Sequence, residues 1–158
     1  MADIKLKIVT PEKVLYQDTV SQVSVSTITG QITILPHHLP LVSKLAPGEI
    51  IIKKIADPEQ GRMDSHSEDL MAVSGGFIEV LPDQVIILAD TAERAEEIDE
   101  TRAEAARVRA QELLNTKIVD AEQFAFFSAS LEKELARIRV ARRYKKTRGA
   151  NVNLNREE

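Results

Sequence analysis

The sequence contains no cysteine, which excludes disulfides, thiolate metal sites and cysteine nucleophiles and fits a reducing compartment. No apolar run approaches the roughly 20 residues that a membrane-spanning helix needs, and the opening MADIKLKIVT has no apolar signal core. A soluble, cytoplasmic chain is the expectation. An excess of positive charge is also missing: 21 Lys and Arg against 25 Asp and Glu leave a net charge of -4. A generally basic nucleic-acid binder is thereby excluded, and any such role falls to a local patch. At 158 residues, the chain has room for one compact domain with a helical appendage.

What is present divides at Asp90. Before it, apolar residues come in short runs separated by turn formers, as in small antiparallel sheets. Ile4, Leu6 and Ile8 alternate with Lys5 and Lys7, the period of a half-buried strand. Further strands are expected at 13–16, 20–26, 31–35, 41–44, 49–55, 70–74, 77–81 and 85–88, with turns at Thr29-Gly30, 36–40, Pro47-Gly48, Gly75-Gly76 and Pro82-Asp83. So many strands in so short a span imply two stacked sheets or a flattened barrel. The polar, aperiodic stretch 56–69 is expected to be an exposed hairpin loop.

After Asp90, glycine and proline vanish until Gly149 while Ala, Glu and Arg take over. The pattern predicts one helix from about Ala92 or Glu96 to Leu114, with carboxylates crowding its first turns, where the helix dipole favours anions. Residues 115–119 break it. Asp120 is placed to cap a second helix, with Gln123 three residues on. In that helix Phe124, Phe127, Leu131, Leu135 and Ile138 fall on one stripe; Ala103, Ala106, Ala110 and Leu113 give the first helix a thinner one. The expected fold is therefore α+β. An antiparallel β-sandwich fills 1–90, an antiparallel helical hairpin fills 91–148, and 149–158 forms a disordered tail.

Few residues suggest chemistry. His37 and His38 are adjacent and His66 is distant, which is not a metal-ligand spacing. No glycine sits in a Walker-type phosphate loop, and no serine has a base placed beside it by motif; an enzyme is not expected. Arg137, Arg139, Arg142, Arg143, Lys145, Lys146 and Arg148 put seven cations in twelve residues. A solvated helix end would suit one or two of them, whereas seven repel one another and suggest an acidic partner surface. Nucleic acid would satisfy the same charges, but only Tyr144 is interleaved for base stacking, so no nucleic-acid partner is expected. Asp99 and Arg102, three apart, share a helix face and can form an intrahelical ion pair.

Several segments in order resemble the epsilon subunit of the bacterial and chloroplast F-type ATP synthase: KIVTP at 7–11, GQITILPHHLPL at 30–41, SGGFIEV at 74–80, VIILADTAERA at 85–95 and IDETRA at 98–103. The two-helix pattern and LARIRVAR at 135–142 continue the likeness. The resemblance implies a β-sandwich followed by a helical hairpin. It also implies a non-catalytic rotor part that attaches to the gamma subunit and rests on the c-ring, while the hairpin can extend towards the catalytic head of alpha and beta subunits and hinder ATP hydrolysis. It implies a peripheral place on the cytoplasmic face of the membrane, or the stromal face of a thylakoid. No cofactor is implied as a requirement; ATP is implied as a regulatory ligand of the folded-down hairpin.

Residue by residue, the resemblance places c-ring contacts at His38 and Gln31, the latter where some members carry an acid. It assigns ATP contacts to Ile98, Asp99, Arg102 and Ala103, with Glu93 upstream and Arg137 on the second helix. It directs Arg139, Arg142, Arg143, Lys145 and Lys146 towards an acidic loop of the catalytic beta subunit. His37 stands where the family commonly has glycine, so a turn needing positive φ would be strained there. Alanine-rich contacts bury little area, so docked and extended hairpins are expected to be close in energy. A ligand at 100 times its dissociation constant, adding about 2.7 kcal/mol, would then shift the balance. A free-standing nucleotide sensor is the rival reading.

Overall fold

The computed structural model describes residues 3–55, 68–116 and 120–154. Eight strands come first: β1 Ile4–Val9, β2 Val14–Thr27, β3 Gly30–Ile34, β4 Leu41–Lys54, β5 Glu68–Val73, β6 Gly76–Val80, β7 Gln84–Ala89 and β8 Ala92–Arg94. A short 3-10 helix, Ala95–Glu97, leads to α1 Glu100–Thr116 and then to α2 Ala121–Leu154. The strand order is β3-β2-β1-β7-β6-β4-β5-β8, and an additional β2–β4 pairing closes the sheet on itself. The result is the expected flattened barrel, antiparallel except where β1 runs parallel to β7.

Two strands are longer than their sequence patterns predict. The runs 13–16 and 20–26 merge into β2, and 41–44 and 49–55 merge into β4 across Pro47-Gly48. Each merged strand serves both layers. The N-terminal part of β2 pairs with β1 and the rest with β3 and β4; β4 pairs first with β6, then with β5. Ala46 and Pro47 fall between those ladders without a register partner, so the missing proline N–H breaks no rung. Register shifts between Val20/Gln22 and Val25/Thr27 mark the matching bends in β2.

Strand alternation fills the core. Leu6, Ile8, Val23, Ile50, Ile52, Ile78 and Ile87 are at most 1% exposed. The opposite face of β4 and β5 is apolar as well. Ile51, Leu70 and Ala72 point away from the barrel and meet Ala95 and Val140 in a second cluster, with Ile98 and Tyr144 against it. Here α2 lies on the sheet. Continuous apolar runs such as Ile50–Ile52 thus mark strands covered on both faces.

The helical part departs from expectation at both ends. Residues 92–97 form β8 and the 3-10 helix rather than the start of α1, because Met71, Ala72 and Val73 pair with Arg94, Glu93 and Ala92; the sandwich therefore extends past 90. At the other end, the backbone of 149–154 continues α2 instead of forming a tail. Gly149 interrupts a helix at a cost of only about 1 kcal/mol, and no proline follows to stop it. The expected 56–69 loop lies outside the described residues except for Glu68 and Asp69, which open β5; 117–119 and 155–158 also lie outside them.

Asp120 caps α2 as its position predicts, accepting the Gln123 N–H at 2.8 Å. In α1, Ala103 and Ala110 are buried as the thin stripe requires. The α2 stripe is redistributed: Phe124 is 55% and Leu135 39% exposed, while Ala136, Ile138, Val140 and Ala141 are buried. One stripe cannot serve a helix that packs on both α1 and the sheet.

Candidate functional site

A cavity of about 540 Å³ opens where β5, the β7–β8 junction, α1 and α2 converge. Its strand wall holds Ala72, Val73, Ser74, Thr91, Ala92 and Glu93; α1 contributes Arg102, Ala106 and Arg109, and α2 contributes Lys133, Glu134 and Arg137. Alanine at 72, 92 and 106 leaves the space that longer side chains would fill.

Arg137 organises one wall. Its Nε donates to Glu93 Oε2 at 2.8 Å, its Nη2 to Glu93 Oε1 at 3.3 Å, and its Nη1 to Glu134 Oε2 at 2.8 Å. These bonds raise its pKa above the ordinary arginine value; the Glu93 bond leads, burial opposes it, and Glu134 adds to it. Glu134 is only 8% exposed, a burial tolerable for a carboxylate because Arg137 pairs with it. Arg102 and Lys133, by contrast, have no carboxylate within ion-pair distance among the described residues. Four cations face two carboxylates, so the cavity is set to receive an anion.

On the strand side, Ser74 and Thr91 are tied together: the Thr91 hydroxyl is 2.7 Å from Ser74 Oγ, and the Thr91 N–H donates to the same oxygen at 3.2 Å. Two hydroxyls thus stand on the wall opposite the cations, able to bond neutral polar parts of a ligand.

Of the six residues assigned to a nucleotide by resemblance, Glu93, Arg102 and Arg137 line the cavity. Asp99 does not form the ion pair expected from its spacing to Arg102. It precedes α1, where its Oδ1 accepts the Arg102 backbone N–H at 3.0 Å and its carbonyl accepts the Ala103 N–H at 2.9 Å, an N-cap that fixes where Arg102 points. Ile98 ends the 3-10 helix and packs on the α2–sheet seam, and Ala103 is fully buried. Arg109, Lys133 and Glu134 were not anticipated. Their signal was spacing: Arg109 is seven residues beyond Arg102 and Lys133 four before Arg137, so each shares its partner's helix face.

The basic segment is already engaged within the chain. Arg142 and Lys145 bond to Glu100, and Arg143 bonds to Glu49 with Glu68 nearby. Arg139 and Lys146 are exposed, one turn from Arg143 and Arg142 respectively. Gln31 and His38 are not brought together, since they sit at opposite ends of β3. Gln31 is exposed, while His38 follows a turn in which its N–H donates to the Leu35 carbonyl at 3.2 Å. Pro36 and His37 are the central residues, and His37 has φ 61°, the strained position that the sequence suggested. Leu35, Leu39, Val42, Phe77 and Leu88 of the barrel are each more than half exposed.

Among the described residues no three His, Cys, Asp or Glu side chains gather as a metal site, and no helix is long and apolar enough to cross a membrane.

Comparison with known families matches residues 3–95 to the ATP synthase, Delta/Epsilon chain, beta-sandwich domain, and residues 96–142 to the ATP synthase, Delta/Epsilon chain, long alpha-helix domain. The ATP synthase epsilon chain of Chloroflexus aggregans (strain MD-66 / DSM 9485) is 46% identical over 142 residues, covering 90% of this chain and 94% of that one. That of Bacillus subtilis (strain 168) is 46% identical over 122 residues, covering 77% and 85%. A chain in the cryo-EM structure of the Euglena gracilis mitochondrial ATP synthase (OSCP/F1/c-ring, rotational state 1) superposes with a TM-score of 0.71 at 24% identity, over 86% of this chain and 79% of that one. At that identity the superposition shows shared fold alone.

Proposed function

The chain belongs to the delta/epsilon chain family of ATP synthase, and on that premise we propose that it is a non-catalytic central-stalk subunit whose helical arm regulates ATP hydrolysis in response to ATP. The sandwich serves as the foot that joins gamma to the c-ring on the cytoplasmic face of the membrane. Its outward apolar residues Leu39, Val42, Phe77 and Leu88, the last two paired across neighbouring strands, support such a role, since exposed apolar side chains suit a protein partner.

The observation that carries the regulatory reading is the cationic cavity between strand wall, α1 and α2. An anionic nucleotide bound there would touch all three elements at once and stabilise only the compact arm. Arg102, Arg109 and Lys133 are placed for phosphate oxygens, Arg137 holds Glu93 and Glu134 in the wall, and the Ser74–Thr91 hydroxyls face the remainder of the ligand. Without nucleotide, docking rests on the thin seam around Val140, the Arg137–Glu93 tie and surface ion pairs. The arm can then extend and offer Arg139, Arg142, Arg143, Lys145 and Lys146 to an acidic loop of the catalytic beta subunit.

The test is titration of the full-length chain with ATP, following the amide signals of α1 and α2 by NMR, with Arg102→Ala as the control. Saturable ordering of both helices that Arg102→Ala weakens tenfold or more is the expected result. No response at millimolar ATP would remove the nucleotide from the mechanism. In the reconstituted complex, reversing charge at Arg139, Arg142 and Arg143 should relieve inhibition of hydrolysis; an unchanged rate would reject the beta-subunit contact.

A further inference from the structure

One turn of α2 delivers its cations to carboxylates from three separate elements. Arg143 Nη1 donates to Glu49 Oε1 of β4 at 3.0 Å, and its Nη2 lies 3.8 Å from Glu68 Oε2 of β5. Arg142 Nε donates to Glu100 Oε1 of α1 at 2.9 Å, and Lys145 Nζ to the other oxygen of Glu100 at 2.5 Å. Tyr144, between them in sequence, packs against the α2–sheet seam. Arg139, one turn before Arg143, and Lys146, one turn after Arg142, form no ion pair with a carboxylate among the described residues.

These pairs are too exposed to anchor the arm by themselves. The side chains of Arg142, Arg143 and Lys145 keep 64%, 41% and 69% of their exposure, and solvent-exposed pairs contribute little each. Their importance lies in what they occupy. Three of the five cations that an acidic partner would bind are already covered by acidic oxygens, so for these three leaving the chain for the partner exchanges like for like. Because water reaches both states, the exchange carries no large desolvation penalty in either direction.

We infer that Glu49, Glu68 and Glu100 form a built-in acidic decoy that occupies Arg142, Arg143 and Lys145 in the docked arm and competes with an acidic protein surface for them. This rests on the reading that the basic segment meets an acidic partner in the assembled complex. The decoy sets how readily the arm leaves, whereas the cavity nearer the start of α2 sets whether a ligand holds it.

The experiment uses the full-length chain, which lacks native cysteine and so accepts a clean pair of spin labels through Glu12→Cys and Thr147→Cys. The distance distribution between them reports the docked fraction. The triple variant Glu49→Gln, Glu68→Gln, Glu100→Gln is expected to raise the ratio of undocked to docked arm about tenfold at low salt, the combined effect of several weak pairs. It should also lose most of the salt dependence expected of the parent chain. A polyglutamate peptide added in trans should undock the parent arm and have no effect on Arg142→Glu, Arg143→Glu, Lys145→Glu. Combining those three reversals with Glu49→Lys, Glu68→Lys and Glu100→Lys should restore docking, which separates charge pairing from misfolding. An unchanged distance distribution in the triple variant, or failure of the charge swap to restore docking, overturns the inference. If the distances respond as expected while hydrolysis by the reconstituted complex does not, the decoy stands and the inhibitory reading fails.

Discussion

Arg137 on α2 holds Glu93 on β8 through two hydrogen bonds, 2.8 Å from Nε and 3.3 Å from Nη2, across 44 residues of chain. This is a direct polar tie between the arm and the barrel, and it forms one wall of the cationic cavity. The third guanidinium nitrogen holds Glu134, so both carboxylates of that wall depend on one side chain.

Arg137→Ala should therefore loosen α2 by about 1–3 kcal/mol, because it removes charge-assisted bonds and leaves the buried Glu134 carboxylate without its partner. Hydrogen exchange should show faster exchange along α2 and unchanged protection in β1, β6 and β7. Equal deprotection of the barrel strands would show that arm and barrel unfold as one unit.

Val140 is fully buried against Ile51, Leu70 and Ala72. Val140→Asp places an unpaired carboxylate in that seam and should undock the arm by 2 kcal/mol or more, an order-of-magnitude figure for an unsatisfied buried polar group. Methyl NMR signals of the core residues Ile50, Ile78 and Ile87 should stay dispersed while those of Ile51 and Leu70 shift.

At Gly76, φ is 126° and an added Cβ would lie 2.0 Å from the Leu88 carbonyl oxygen. The clash is with backbone, which cannot turn aside. Gly76→Ala should destabilise the barrel by about 3 kcal/mol or more, whereas Gly30→Ala, with open space around the new Cβ, should cost about 1 kcal/mol from its positive φ alone. Denaturant midpoints of the two variants measure the difference.

His37, at φ 61° in an exposed turn, is the converse case. His37→Gly removes left-handed strain of about 1–2 kcal/mol and adds back unfolded-state entropy of about 0.5–1 kcal/mol. A small net gain in thermal stability is expected; a loss would show that the imidazole makes a favourable contact in the turn.

Acid should loosen α1 from α2. Hydrogen bonds from Lys145 and then Arg142, both on α2, hold the Glu100 carboxyl of α1 below the ordinary glutamate range. A depressed pKa in the folded state means that the stabilisation is complete above the ordinary range and is lost as pH falls through the lowered value. The α1–α2 contact, read from amide exchange in the two helices, should be flat near neutrality and weaken only in that acidic window, with Glu100→Gln showing a shallower decline.

Much of this was legible in the residues themselves. Alternation at Ile4, Leu6 and Ile8, turn formers between apolar runs and the loss of glycine after Asp90 determined a strand domain followed by two helices, and Asp120 marked where the second helix begins. These are local signals, carried by side-chain period and backbone preference within a few residues. The cation spacing along α2 likewise announced a surface made to meet carboxylates.

Only the tertiary structure decided which carboxylates those are, because Glu49, Glu68 and Glu100 reach one helix turn through chain closure rather than through any spacing. It also joined the split runs into β2 and β4, turned Ala92–Arg94 into an edge strand, and gave Asp99 a cap in place of an ion pair. Each outcome depends on a partner distant in sequence: β5 for Arg94, the opposite layer for the bent strands, the sheet and α1 together for the two faces of α2. Period and propensity describe a residue's neighbours along the chain, whereas burial and charge pairing are settled by the neighbours that folding supplies.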